Sequence, residues 1–415
     1  MLQLRNFGCK MAMIAIIAML VAITAYAQTE QDVRQKDELK SFPAQFSIYF
    51  PSFGTQGRQS ADYMYNFSLN LFYGKIGGLN GLEISGLVGV VERSVNGIQI
   101  AGLGSIVGDK MKGLQIASLA SIVGDSMKGL QIAGLASIIG DNMKGSQITG
   151  LASIVGDKMK GLQIACLASI VGDKMKGLQI AGLASIVGDN MKGLQIAGLA
   201  SVVGDNMKGL QIAGIYNRGG DVTGLQIGVC NRSKTLKGLQ IGLISVNDSI
   251  EKGGSLSLVN IVKRGFYREW ELSFSDYANV ALNYRMGTQK LYTIYTVGAN
   301  FIEDNLWIVG IGFGNRTSIG NRFDFRPELV SYNYYPTNFK NVQSTFATHL
   351  KFGFVYNVSE KFGLSLVPSV YVMNSNRKSG AEHYTVSPFD AFYTHEKNDN
   401  RTTIGVGVSL GLSLR

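Results

Sequence analysis

Residues that could do chemistry are few in this chain, and their spacing is poor for catalysis. Two of the three histidines, His383 and His395, fall in one polar stretch, and neither has a second His or Cys at a metal-ligand spacing. The many repeated serines have no His or carboxylate placed beside them as a general base. Gly129-Leu130-Gln131-Ile132-Ala133-Gly134 is not a phosphate loop, because no Lys-Ser/Thr follows and no helix begins there. A barrel lumen using Asp324, Glu328 or His349 is the one catalytic arrangement left open. The expectation is therefore a non-enzymatic protein with no cofactor and no metal.

The remaining polar residues stand in columns. Asp125 and Asp141 belong to one column running from Asp109 to Asp205, and Lys128 and Lys160 to another running from Lys112 to Lys208. One Asp per repeat is too few oxygens for calcium. Stacked like charges repel by roughly 1 kcal/mol per neighbour in water, which the adjoining opposite column can cancel. Gln115, Gln131 and Gln163 mark a third column, from Gln99 to Gln211, expected as a surface amide ladder. The methionine column from Met111 is expected to pack in a loop.

These columns exist because a sixteen-residue unit, such as Gly113 to Lys128, recurs from about residue 80 to 223, with shorter copies from Gly224 and Gly238. Glycine, β-branched residues and the missing 3.6-residue period oppose a helix. Two architectures remain. In a β-solenoid each copy is one coil, with Leu114, Ile116, Leu119 and Ile122 in a dry core. In one large membrane barrel each copy is a strand plus a turn. Adjacent copies are as alike as alternate ones, and no Phe, Tyr or Trp occurs between Tyr73 and Tyr216. An antiparallel barrel alternates its environments and carries aromatic girdles, so the solenoid is favoured.

Outside the repeats the pattern becomes strict alternation. Ile404, Val406, Val408, Leu410, Leu412 and Leu414 alternate with glycines and serines, as for lipid outside and lumen inside. Similar runs fill residues 266–415, and Phe46–Phe50 and Tyr65–Tyr73 match them, giving ten expected strands. The predicted organisation is a signal peptide at 1–27, a polar linker at 28–43, first barrel strands at 44–74, the glycine-rich repeat block at 75–265 and the remaining barrel strands at 266–415. The class is thus all-β, a β-solenoid inserted in an outer-membrane-type antiparallel barrel. Short turns at Gly287–Lys290 and Asn357–Lys361 contrast with a long polar loop at 375–401, so that loop is expected outside. Strand parity then puts both ends of the repeat block on the periplasmic side. Arg377, Lys378, Glu382, His383, His395, Glu396 and Lys397 form its candidate binding surface.

The first 27 residues contain Arg5, Lys10, an apolar run from Met11 to Ala25 and Ala25-Tyr26-Ala27, the signature of a cleaved export signal. Cys9 precedes the apolar run, unlike a lipoprotein cysteine, and Cys166 and Cys230 read as small core residues. With 39 Lys+Arg and 29 Asp+Glu the net charge is +10, or +8 once Arg5 and Lys10 are removed. That excess is dispersed, which argues against nucleic acid and permits an anionic envelope surface.

Gly224-Leu225-Gln226-Ile227-Gly228-Val229-Cys230-Asn231 and Gly238-Leu239-Gln240-Ile241-Gly242-Leu243 resemble a family of envelope surface-repeat proteins of Bacteroidetes and leptospires, whose repeats read G-x-Q-x-G-L-x-N. Most copies here have Ser, as at Ser105, Ser121 and Ser137, where that pattern has Asn. The resemblance covers roughly residues 75–265 and implies an exported, envelope-associated protein without assigning an activity. The expected role is a structural or binding component of the outer membrane or cell surface of a Gram-negative-type bacterium. Its partners would be outer-membrane lipid and an envelope polymer or protein. The alternative is a channel or transporter with the repeats as plug or extra strands.

Overall fold

A computed structural model describes residues 39–301, 305–336, 345–376, 391–397 and 400–415. The expected signal peptide and residues 28–38 of the expected linker lie outside the described residues, and the chain is already strand from Lys40. The described chain is all-β, with about eleven turns of parallel β-solenoid and a closed eight-stranded antiparallel barrel. It divides into two compact units, one ending at Gly198 and the other spanning Leu199–Arg415. Among the described residues the first holds coils and a short 3-10 helix, Gly57–Asp62, and the second holds further coils and the barrel.

One coil is an eight-residue strand such as Lys110–Ala117 and a four-residue strand such as Ala120–Val123. Two corners, Ser118-Leu119 and Gly124-Asp125, join successive strands. Each strand pairs in parallel with its equivalents one coil away, so Gln115 stands between Gln99 and Gln131. Glycine is obligatory at one position of the long strand. Gly113 has φ +132°, and a Cβ there would lie 1.9 Å from the carbonyl oxygen of Gly97 in the preceding coil.

Met111, Gln115, Ala117, Ser121 and Val123 point inward and are buried, whereas Lys112, Leu114, Ile116, Leu119 and Ile122 face out. This reverses the expected faces: the leucines and isoleucines are the outside of the coil, and the glutamine column lies within. The reason is space. Two facing strands about 10 Å apart leave a narrow channel that Ala, Ser and Val can line, while Gln can run along the axis toward its copy above. The methionine column is interior packing. Cys166 is exposed at a corner and Cys230 is half-buried, both as free thiols, so neither is the core residue expected.

Residues 44–74 also differ from expectation. Lys40–Tyr49 pairs in parallel with Tyr63–Ile76, which pairs in parallel with Gly78–Ser85 and Val88–Val91. These segments are the opening coils of the solenoid and not barrel strands. Their alternation could not reveal this, because Gln45, Ser47, Ser68 and Asn70 are buried while Phe46, Phe67, Leu69 and Leu71 are exposed, the same polar-in, apolar-out parity as a barrel strand. The solenoid therefore precedes the barrel instead of being inserted between its second and third strands.

Eight strands form the barrel: β1 Tyr267–Ser275, β2 Val280–Thr288, β3 Leu291–Asn300, β4 Leu306–Gly314, β5 Phe323–Pro336, β6 Thr345–Asn357, β7 Phe362–Asn376 and β8 Asn400–Leu414. Each pairs antiparallel with the next, and β8 closes on β1 with Leu414 opposite Trp270. Trp270, Leu272, Phe274, Trp307, Phe354 and Leu410 typify an exposed apolar exterior.

Candidate functional site

The solenoid interior carries a directional chain of amides. Gln115 Nε2 donates to Gln99 Oε1 at 3.0 Å, Gln131 to Gln115 at 2.8 Å, Gln147 to Gln131 at 2.8 Å and Gln163 to Gln147 at 2.9 Å. Every NH2 points toward the chain start, so the amide dipoles add. Their positive end meets a carboxylate, with Gln99 Nε2 donating to Glu83 Oε2 at 2.8 Å. Asn70 Nδ2 donates to the other oxygen at 2.9 Å. Burial nevertheless pushes the Glu83 carboxyl up to about 7, against the hydrogen bonds from Gln99, Ser85 and Asn70, which pull it down. Toward the other end, in the second unit, Gln240 Oε1 accepts from Asn247 Nδ2 at 2.9 Å and Ser255 Oγ at 3.0 Å.

The coil exterior is divided between its two corners. Leu119 and its copies Leu103, Leu135, Leu151, Leu167 and Leu183 form an apolar edge, each between 40 and 45% exposed, with their backbones hydrogen-bonded coil to coil. Ile116 and Ile122 flank it. The opposite corner carries Asp125 and Asp141, and the exposed Lys128 and Lys160 lie just beyond it. The Asp141 carboxyl is raised by partial burial and by Asp125 and Asp157 on either side.

The barrel lumen is filled in two layers. Near the ends of β1 and β8, four carboxylates and four guanidiniums interlock. Arg285 Nε donates to Glu328 Oε1 at 2.7 Å and its Nη2 to Glu271 Oε1 at 3.1 Å. Arg326 Nη2 donates to Glu271 Oε2 at 2.5 Å and its Nη1 to Glu269. Arg415 Nε reaches Glu269 Oε2 at 2.7 Å, and Arg316 pairs with Asp324. Tyr292 Oη donates to Glu328 at 2.9 Å and Ser365 Oγ to Glu271 at 3.1 Å. Beyond this layer lie Tyr277, Tyr332, Tyr371 and His349, with the His349 ring stacked 5.0 Å from Tyr371. Lys351 Nζ sits 5.2 Å from the rings of Tyr277 and Tyr332. Eight strands enclose only enough room for such side chains.

Asp324, Glu328 and His349 therefore all face the lumen. The two carboxylates are held by arginines, and His349 lies among tyrosines with Nδ1 3.4 Å from Ser369 Oγ. That leaves no carboxylate–histidine couple for general acid–base work. Among the described residues no group of three or more His, Cys, Asp or Glu side chains could hold a metal ion. Of the expected binding loop, Arg377, Lys378, Glu382 and His383 lie outside the described residues. His395, Glu396 and Lys397 are exposed on a short strand, Tyr393–Lys397, that pairs antiparallel with β8, and Arg401 reaches Glu396 at 3.4 Å. Arg285 and Arg326 were not singled out from sequence, although a charge at an inward position of an apolar-out strand was a readable signal.

No protein-family model, no curated protein and no solved structure matches this chain.

Proposed function

We propose that the protein is a non-enzymatic envelope component whose barrel is an anchor in the outer membrane and whose solenoid is a stiff structural or binding module. The observation that carries this reading is the barrel's inside-out build. Its exterior is an aliphatic and aromatic belt, and its lumen is closed by a neutral set of four carboxylates and four arginines topped by tyrosines. A belt of this kind suits lipid. A lumen filled by paired charges, with Lys351 held among tyrosine rings, suits an anchor better than the channel alternative. The envelope setting agrees with the export-like leader and with the likeness of the Gly224 and Gly238 copies to surface repeats. The partner class is lipid at the barrel and an envelope polymer or protein along the coils.

Purified full-length protein in planar bilayers tests the reading. Heat-modifiable, detergent-resistant protein that gives no stepwise conductance is expected. Reproducible unitary steps from the same preparation would overturn the anchor in favour of a channel.

A further inference from the structure

We propose that the apolar corner of the coils in the second unit is a lipid-contacting edge, which seats these coils in the headgroup–acyl boundary of the bilayer that the barrel spans. The inference rests on the anchor reading above and extends it to the repeats.

The second unit carries the geometric argument. Its coils carry an apolar corner of Leu199, Ile215, Val229, Leu243 and Leu258, each between 40 and 53% exposed. The first four are joined coil to coil through the corner backbone, with Ile215 N on Leu199 O, Cys230 N on Ile215 O and Leu243 N on Val229 O. The last coil lies against the barrel's outer wall at β3. On this strand Tyr292 and Ile294 face the lumen, so Leu291, Thr293, Tyr295 and Val297 face out. Gly254 abuts Leu291 so closely that a Cβ would come 2.6 Å from Leu291 Cβ. Thr293 Oγ1 donates to Ser257 O at 2.6 Å and accepts from Asn260 Nδ2 at 3.3 Å.

Moving along β3 from Leu291 to Thr293, the contacting coil passes from Gly254, two residues after the charged pair Glu251 and Lys252, to Leu258. The next outward residues are Tyr295 and Val297, the latter 56% exposed in the barrel's belt. The apolar corner is thus on the belt side of the coil and the charged pair on the far side. Lipid is the occupant that fits. In the second unit the corner is a column of aliphatic side chains about 4.8 Å apart, preceded by Gly214, Gly228 and Gly242, which carry no side chain to specify a protein partner, and it lies beside a surface already suited to acyl chains. An apolar strip opposite a charged one is the amphipathic pattern of interfacial elements.

Site-directed fluorescence on full-length protein in phosphatidylethanolamine–phosphatidylglycerol vesicles tests this. An environment-sensitive dye is placed on Val229→Cys or on Leu243→Cys in a background in which Cys9, Cys166 and Cys230 are replaced by Ser. Asp221→Cys marks the charged corner and Leu410→Cys the barrel belt. Dyes at 229 and 243 are expected to be quenched several-fold more by lipid-borne nitroxide than by aqueous iodide, with the reverse at 221. Iodide quenching at 229 and 243 while 410 answers to lipid would overturn the inference and leave the anchor intact. Failure of lipid quenching at 410 as well would remove both. Protection of 229 and 243 from both quenchers, with cross-linking between copies through Val229→Cys, would overturn it in favour of self-association.

Discussion

The solenoid and the barrel both bury polar side chains and expose aliphatic ones, yet they satisfy their interior polar groups by opposite means. In the solenoid each inward residue faces a copy of itself, so the only polar side chain that can stack indefinitely is one that is its own partner. A carboxamide carries donor and acceptor together, and the Gln ladder follows. A buried Asp or Lys column would stack like charges, which is why those columns stand at an exposed corner. In the barrel every neighbour differs, so Glu269, Glu271 and Glu328 can be set against Arg285 and Arg326. Repetition selects self-complementary groups; heterogeneity permits opposite ones. Glu83 marks the boundary of the first regime, since the first amide of the ladder has no amide left to donate to.

The strongest test of this difference is deletion. Removing Lys144 to Met159, one coil in register, should leave a folded protein with its heat-modifiable barrel, because each coil touches only its neighbours. Removing β7, Phe362–Asn376, leaves seven strands, forces a parallel pair at closure and should abolish the folded band on gels. If the coil deletion were also lethal to folding, the coils would not be independent modules.

Arg285→Ala comes next. It removes the guanidinium that pairs with Glu328 and one of the two that pair with Glu271, a loss expected at about 3–5 kcal/mol, visible as a lower temperature for conversion to the unfolded gel band. An unchanged conversion temperature would mean that the network contributes little.

Glu83→Gln keeps an acceptor for Gln99 and removes the charge. Because the folded carboxyl titrates near 7, above its usual range, the native state holds its proton more tightly than the unfolded chain does. Its stabilisation is complete at acidic pH and is lost as pH rises through about 7. The variant should therefore gain stability, on the order of 3 kcal/mol, at pH 8 and change little at pH 4. A pH-independent gain in the melting temperature of the coils by circular dichroism would refute Glu83 as the titrating group.

The smallest effects separate the two faces of one strand. Gln163→Leu leaves Gln179 without its acceptor and Gln147 without its donor, at a cost of about 1–3 kcal/mol. The neighbouring Ile164→Lys places a charge on the outside and should cost the fold under about 0.5 kcal/mol. Chemical denaturation of the pair checks the inside-out assignment, and a costlier Ile164→Lys would reverse it.

The sixteen-residue period, the parallel stacking of like copies and the alternating strands from Trp270 to Leu414 were legible in the sequence, because repetition and period-two patterning are properties of the chain itself. Alternation also showed that Leu114 and Ile116 share a face opposite Gln115. It could not show which face is inside, since parity is a local property and enclosure is not. That was decided by the narrow gap between facing strands and by a ladder that requires the next coil to supply each acceptor. For the same reason Phe46 and Leu69 read as barrel residues. Their apolar-out pattern is common to both regions, and only parallel pairing with Tyr63–Ile76 and Gly78–Ser85 assigns them to the coils. The charge network was beyond local patterning too, because Glu269 and Arg326 are 57 residues apart and meet only when β8 closes on β1.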